Sequence, residues 1–145
     1  MTIPRSHRFP VRVYFEDTDA GGVAYHANYL KWAERARTES LRSMHLPHAL
    51  MMECHNSMLV VRRIEVAYVR PARLDEALLV ETAVRAVGAA TLDLTQTVLR
   101  EVGEEVLARL EVGLVCVRTD ALKPARIPEP WRGHFAALVG DTSSP

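Results

Sequence analysis

The chemistry of this chain concentrates between Tyr14 and Tyr29, where it reads Tyr-Phe-Glu-Asp-Thr-Asp-Ala-Gly-Gly-Val-Ala-Tyr-His-Ala-Asn-Tyr. Asp17 and Asp19 stand two residues apart, and the adjacent pair Gly21 and Gly22 follows. A turn of this kind can hold an ionised carboxylate beside the free N–H groups of a helix start. A reacting carbonyl needs both: a base or nucleophile on one side and donors for its oxygen on the other. The same residue types also build ordinary solvated turns, because Asp and Gly relieve tight backbone geometry.

Two elements must position this turn. Before it, Val11, Val13 and Phe15 alternate with Arg12, Tyr14 and Glu16, the period of a strand with one apolar face. After it, from about Asn28 to Met44, the period becomes helical. Tyr29, Trp32, Ala33, Ala36, Leu41 and Met44 fall on one half of the wheel, and Lys31, Arg35, Thr38 and Arg42 on the other. Ala33, Ala36 and Ser40 run down the middle of the apolar face, so the helix can approach a sheet closely. Asn28 is the N-cap that local propensity favours. Pro47 ends the helix within a few residues, and a loose segment runs from Pro47 to Ser57.

Strand patterns fill the chain from there to about Thr119. Ile64, Val66 and Tyr68 alternate with polar or small neighbours. Val80 to Ala86, Leu92 to Val98 and Val106 to Cys116 form three further series. The breaks at Pro71–Asp75, Gly88 and Glu101–Glu104 suit antiparallel neighbours. Pro124, Pro128 and Pro130 open a tail with little regular structure beyond Trp131, irregular from about residue 132. One long helix with about five antiparallel strands predicts an α+β domain, a curved sheet wrapped around the helix. Apolar side chains recur at both parities of the last strands, at Leu107, Val115 and Val117. A second copy of the chain is therefore expected over the remaining apolar face or a sheet edge.

Composition sets the outer limits. The 145 residues suit one domain spanning 1–145, large enough to fold without metal or disulfide. Lys plus Arg and Asp plus Glu both number 18, which argues against a broad nucleic-acid surface. Cys54 and Cys116 are too few for a disulfide framework. The first ten residues carry no apolar signal core, and no apolar run reaches the length of a membrane span, so a cytoplasmic location is expected.

The run Val11-Arg-Val-Tyr-Phe-Glu-Asp-Thr-Asp-Ala-Gly-Gly-Val-Ala-Tyr-His-Ala-Asn-Tyr-Leu, with Glu34-Arg-Ala-Arg-Thr-Glu39 beyond it, resembles the hotdog-fold acyl-CoA thioesterases of the 4-hydroxybenzoyl-CoA thioesterase type. The resemblance is nearest to the bacterial subgroup associated with the Tol–Pal system, the YbgC-like proteins. Tyr68-Val-Arg-Pro-Ala-Arg-Leu-Asp75, the strand through Leu114-Val-Cys-Val and Pro124-Ala-Arg-Ile-Pro128 support it, so it covers roughly residues 9–135. The resemblance implies a hotdog domain acting on acyl-CoA or an acyl carrier protein. It implies a homo-oligomer, as a dimer or dimer of dimers, and no cofactor beyond the coenzyme A of the substrate. It assigns the catalytic carboxylate to Asp19, the second Asp of Asp-x-Asp-x-x-Gly, and the carbonyl-binding amide to His26, whose side chain the subgroup also keeps. Gly21, Gly22, Val23 and Tyr25 then border the acyl group, and Arg62 is a candidate coenzyme contact.

Two departures accompany the match. Phe15 stands where the subgroup often has a second Tyr, and the turn before Gly88 reads Ala86-Val87 where relatives often carry a basic residue, leaving Arg85 as the nearest cation. The amide implied at His26 also lies two residues before the N-cap favoured by propensity.

For the reaction, aspartate is a weak base at neutral pH, sufficient where the carbonyl is already polarised. Helix N-terminal amides polarise it, and losing one such donor costs about 10²–10³ in rate. Asp19 either orients a water or attacks directly to form a mixed anhydride. Two other classes compete: an enoyl-thioester hydratase using Asp19 and His26 as an acid–base pair, and a non-catalytic acyl-thioester-binding or scaffold protein of envelope lipid metabolism. Asp17 reads as a turn residue, Tyr29 and Trp32 as core, and Glu34 as an exposed ion-pair partner or a neighbour of the acyl pocket. His45, His48, Cys54 and His55 match no regular metal-ligand spacing. Arg62 and Arg63, as strand neighbours, are expected on opposite faces.

Overall fold

The computed structural model of the chain describes residues 5–140. Five strands form one antiparallel sheet: β1 (Ser6–Arg12), β2 (Ser57–Tyr68), β3 (Ala77–Val87), β4 (Thr91–Arg100) and β5 (Val106–Arg118). Their order across the sheet is β1-β3-β4-β5-β2, so β1 and β2 are the two edges. Single-residue register shifts fall at Val61/Arg63, Val84/Ala86 and Val98/Leu99. Such bulges add local twist and bend a sheet. The concave face receives α1 (His26–Ser43), which packs on β1 and β3. This is the hotdog arrangement of the expected α+β class.

The alternation read from the sequence sets the core. Leu78, Val80 and Val84 of β3, Leu92, Leu94 and Val98 of β4, and Leu110, Val112 and Leu114 of β5 all point inward and are buried. Ala33 and Ala36 of α1 are fully buried against them, and Trp32 fills the adjoining space. Burying a large apolar side chain contributes about 1.5–3 kcal/mol.

Several expectations need correction. The strand before the turn is Ser6–Arg12 and stops short of Phe15, which is 79% exposed in a short 3-10 turn (Phe15–Asp17). Helix α1 starts at His26, two residues before the position favoured by propensity, with Tyr25 as N-cap. The side chain of Asn28 instead reaches back to donate to the Asp17 carbonyl at 2.7 Å. The segment read as loose holds α2 (His48–His55), with Pro47 as its N-cap. The tail read as irregular from 132 holds α3 (Trp131–Leu138). Trp131 and Phe135, four residues apart, bury one face of α3, and the Trp131 indole donates to the Leu46 carbonyl at 3.0 Å.

The outer sheet face differs too. Its centre is polar, with Thr95 donating to Glu111 and Arg85 paired with Glu111 at 3.3 Å. Leu107 is covered by the chain itself, since Val69 and Arg70 N–H both donate to its carbonyl, and Val117 is bridged by Pro124. Exposed apolar side chains include Val61, Tyr68 and Val69 along edge β2 and its exit, each about half exposed.

Candidate active site

The turn from Asp17 to Tyr25 is held mainly by backbone. Asp17 is structural: its Oδ2 accepts from Tyr14 N–H at 2.9 Å, and its carbonyl accepts from Tyr25 N–H at 2.8 Å as well as from Asn28. Those bonds tie the strand exit to the start of α1. Ala24 N–H donates to the Ala72 carbonyl at 2.8 Å, and Val23 bridges Arg73, so the segment after β2 forms the floor.

Asp19 sits at the exposed tip. Its Oδ1 accepts from Gly21 N–H at 2.8 Å, and its N–H and C=O bond Val23 and Gly22. Its Oδ2 has no partner among the described residues. Gly21 and Gly22 are required for different reasons. A Cβ on Gly21 would lie 3.3 Å from Asp19 Oδ1, pressing on the carboxylate. Gly22 has φ of +76°, a left-handed conformation that suits glycine.

His26 is the first residue of α1, which resolves the sequence tension: the amide implied by the resemblance is a helix N-terminal amide. The N–H groups of His26 and Ala27 have no acceptor among the described residues, while that of Asn28 already bonds the Tyr25 carbonyl. Free amides at the positive end of an 18-residue helix polarise an oxygen placed on them. The His26 ring lies 4.4 Å from the Tyr25 ring and meets Tyr68 edge-on at 6.3 Å. Tyr68 Oη donates to the His26 carbonyl at 2.9 Å, fastening the helix start to β2. Beneath, Tyr29 is buried and accepts from Ala72 N–H through its hydroxyl, and burial pushes its phenol pKa up. No hydrogen bond joins Asp19 to His26 among the described residues.

Asp19, Gly21, Gly22, Val23, Tyr25 and His26 therefore gather in one place. Arg62 does not join them. It is the extra residue of the β2 bulge, exposed, and six residues before Tyr68, roughly 20 Å along the strand. The bulge also breaks the strict alternation expected of Arg62 and Arg63. Arg85 is committed to Glu111. A cation missed by sequence reasoning supplies the Gly88 turn: Arg132 of α3 donates to the Gly88 carbonyl at 3.2 Å. His48 lines the cavity described next, His55 meets Trp131 edge-on at 5.5 Å, and Cys54 is exposed.

A cavity of about 1060 Å³ lies away from the turn. It opens between the second half of α1, α3 and the inner sheet face, and every strand lines it. β1 contributes from its first residues and β2 from Leu59 and Val61, so the cavity occupies the sheet end opposite Asp19. Sequence reasoning missed it because its lining comes from separated segments. One signal was available, the i, i+4 pair Trp131 and Phe135.

The fold and turn define a class, and comparison with known proteins agrees: residues 13–135 match the family described as the thioesterase-like superfamily, and the chain belongs to it. Its relatives include the acyl-CoA thioesterase YbgC of Haemophilus influenzae, 41% identical over 130 residues that cover 90% of this chain and 94% of the relative. The acyl-CoA thioester hydrolase YbgC of Escherichia coli O6:H1 is 43% identical over 88% of this chain and 94% of its own length. Among solved structures, a probable thioesterase from Bartonella henselae superposes with a TM-score of 0.79 at 35% identity, covering 85% of this chain and 99% of its own.

Proposed function

We propose that this chain hydrolyses acyl thioesters of coenzyme A or an acyl carrier protein, with Asp19 as base or nucleophile and the amides at the start of α1 polarising the carbonyl. It is a thioester hydrolase of the acyl-CoA class, in keeping with the YbgC relatives. The observation that carries the site assignment is one of juxtaposition. Among the described residues, Asp19 is fixed through Oδ1 by Gly21 N–H with Oδ2 unengaged, while the His26 and Ala27 N–H groups, a short turn away, lack acceptors.

The thioester oxygen rests on the free amides. Asp19 then acts in one of two ways. It takes a proton from water, whose oxygen bonds the carbonyl carbon as the C–S bond breaks. Alternatively its oxygen bonds that carbon directly, expelling the thiolate and leaving an anhydride for water to cleave. In both routes the coenzyme thiolate leaves and takes up a proton, and no resident cofactor takes part. Oxygen-18 entering Asp19 during a single turnover in labelled water supports the anhydride route, and an unlabelled Asp19 favours the water route.

The working unit is a homo-oligomer built on the β2 edge. Twelve-residue β2 is an edge with Val61 and Tyr68 exposed, and natural proteins protect such edges. Antiparallel pairing of two β2 strands about a two-fold axis sets the Ser57 end of one beside the Tyr68 end of the other. Leu59 and Val61, at the β2 side of the cavity, then adjoin the partner's catalytic turn. The acyl chain of a thioester bound at one protomer's Asp19 enters the cavity of the other, and Arg62 comes within reach of the partner's coenzyme.

The test is thiol release from a panel of acyl-CoA thioesters, comparing wild type with Asp19→Asn. Turnover by wild type that falls by about 10²–10⁴ in Asp19→Asn supports the assignment. Binding without turnover identifies the scaffold alternative instead. Sedimentation giving a monomer overturns the shared site.

A further inference from the structure

The cavity is not uniform across its width. It crosses all five strands, four interstrand gaps or roughly 19 Å. On the β2 side its wall is apolar: Leu59 of β2, Leu114 of β5, and Leu92 and Leu94 of β4. Toward β3 and β1 it becomes polar, with Thr82, His7 and Arg5 below and Arg37 of α1 above.

Arg37 reaches this polar region from above the seam between β3 and β4. Its Nη1 donates to Gln96 Oε1 at 3.0 Å, and Gln96, fully buried, is fixed by donating to Thr82 Oγ1 and the Ala33 carbonyl, both at 2.9 Å. The guanidinium has five N–H donors, and this is the one bond it makes among the described residues. It forms no ion pair there either, although Glu34 lies near enough to attract it. Among the described residues, the titratable groups lining the cavity are Arg5, Arg37, His7, His48 and His134, against the single carboxylate of Glu34. His7 Nδ1 is buried without a partner among the described residues. A half-buried cation with unused donors beside an apolar passage is matched by an acceptor that arrives on an apolar chain.

The geometry points to a substrate class: acyl groups with a carboxylate at the end remote from the thioester, held by Arg37 of the protomer whose cavity they enter. This rests on the hydrolase reading and on entry from the β2 side. The thioester stays at the partner's Asp19, the methylene chain lies along the leucines, and the far carboxylate meets the guanidinium.

The test uses matched pairs of coenzyme A thioesters of equal carbon number, each an alkanoyl thioester beside the half-thioester of the corresponding α,ω-dicarboxylic acid, over a series of medium lengths. At the length that spans the cavity, the dicarboxylic member is expected to have kcat/KM about tenfold or more above its alkyl match, carried mainly by KM, as one charge-assisted hydrogen bond predicts. Arg37→Met should abolish that preference, and Arg37→Lys, which retains the charge, should keep part of it. The wild-type comparison decides the matter even if Arg37→Met fails to fold. Hydrolysis of both members with the alkyl thioester equal or faster at every length overturns this inference and leaves the hydrolase standing. A folded, oligomeric protein inert on every pair and on the same acyl groups carried by an acyl carrier protein overturns the hydrolase reading itself.

Discussion

The two ends of the sheet are built on opposite plans. At the Tyr68 end, the candidate turn is an exposed loop shaped mainly by backbone hydrogen bonds, most of them local, with Ala24 N–H tied to the Ala72 carbonyl. At the Ser57 end, the cavity is a space between side chains supplied by β1, all the other strands, α1 and α3. The first holds a few atoms in fixed geometry, and the second measures a volume. Changes at the turn should therefore act most on kcat, and changes to the packing around the cavity most on stability.

The largest effect that could break this contrast is at Trp131. Trp131→Ala removes a buried indole and its bond to Leu46, and should cost about 3–5 kcal/mol of unfolding free energy. Denaturant unfolding measures it, and a loss confined to activity would contradict the division. Next comes Gly22→Ala at the turn. The left-handed backbone there should cost about 1–2 kcal/mol, and the shift it forces on Asp19 should lower kcat more than KM rises. An unchanged kcat would show that the turn tolerates displacement.

The smallest effect is one of pH. Burial, and then the neighbouring Arg37, lower the pKa of His48 from its usual value. The unfolded chain therefore takes up this proton at higher pH than the folded one. The contribution of neutral His48 is fully present above the ordinary histidine pKa, near 6.5, and is lost as pH falls through the lower folded value. Unfolding free energy measured from neutral to mildly acid pH should fall less steeply in His48→Gln than in wild type. Equal slopes would remove His48 from the account.

The same contrast explains what was legible in the sequence. The turn is contiguous, so its residues could be read together, and the wheel of α1 and the alternation of β3 to β5 report burial directly. The start of α1 was misread because Asn28, a favoured cap by propensity, serves a longer-range bond to Asp17. Helix α2 was hidden because its one fully buried residue, Met51, gives it little amphipathic pattern. Helix α3 follows three prolines and contains Gly133, so local rules argued against it, and packing of Trp131 and Phe135 prevailed. The cavity had no local signature, and neither did Arg132 at the Gly88 turn.

The strand order has a consequence for synthesis. Among the described residues, edge strand β2 pairs only with β5, the last of the five strands to be made. On the ribosome, Met58-Leu-Val-Val61 emerges as an apolar run while its partner has yet to be translated. A nascent chain stalled before Val106 has already exposed the sequence of the Asp17–Tyr25 turn yet holds β2 unpaired, the state in which strand edges recruit one another wrongly. Slow or interrupted translation of β5 should therefore harm the yield of this protein more than an equal pause after Arg118.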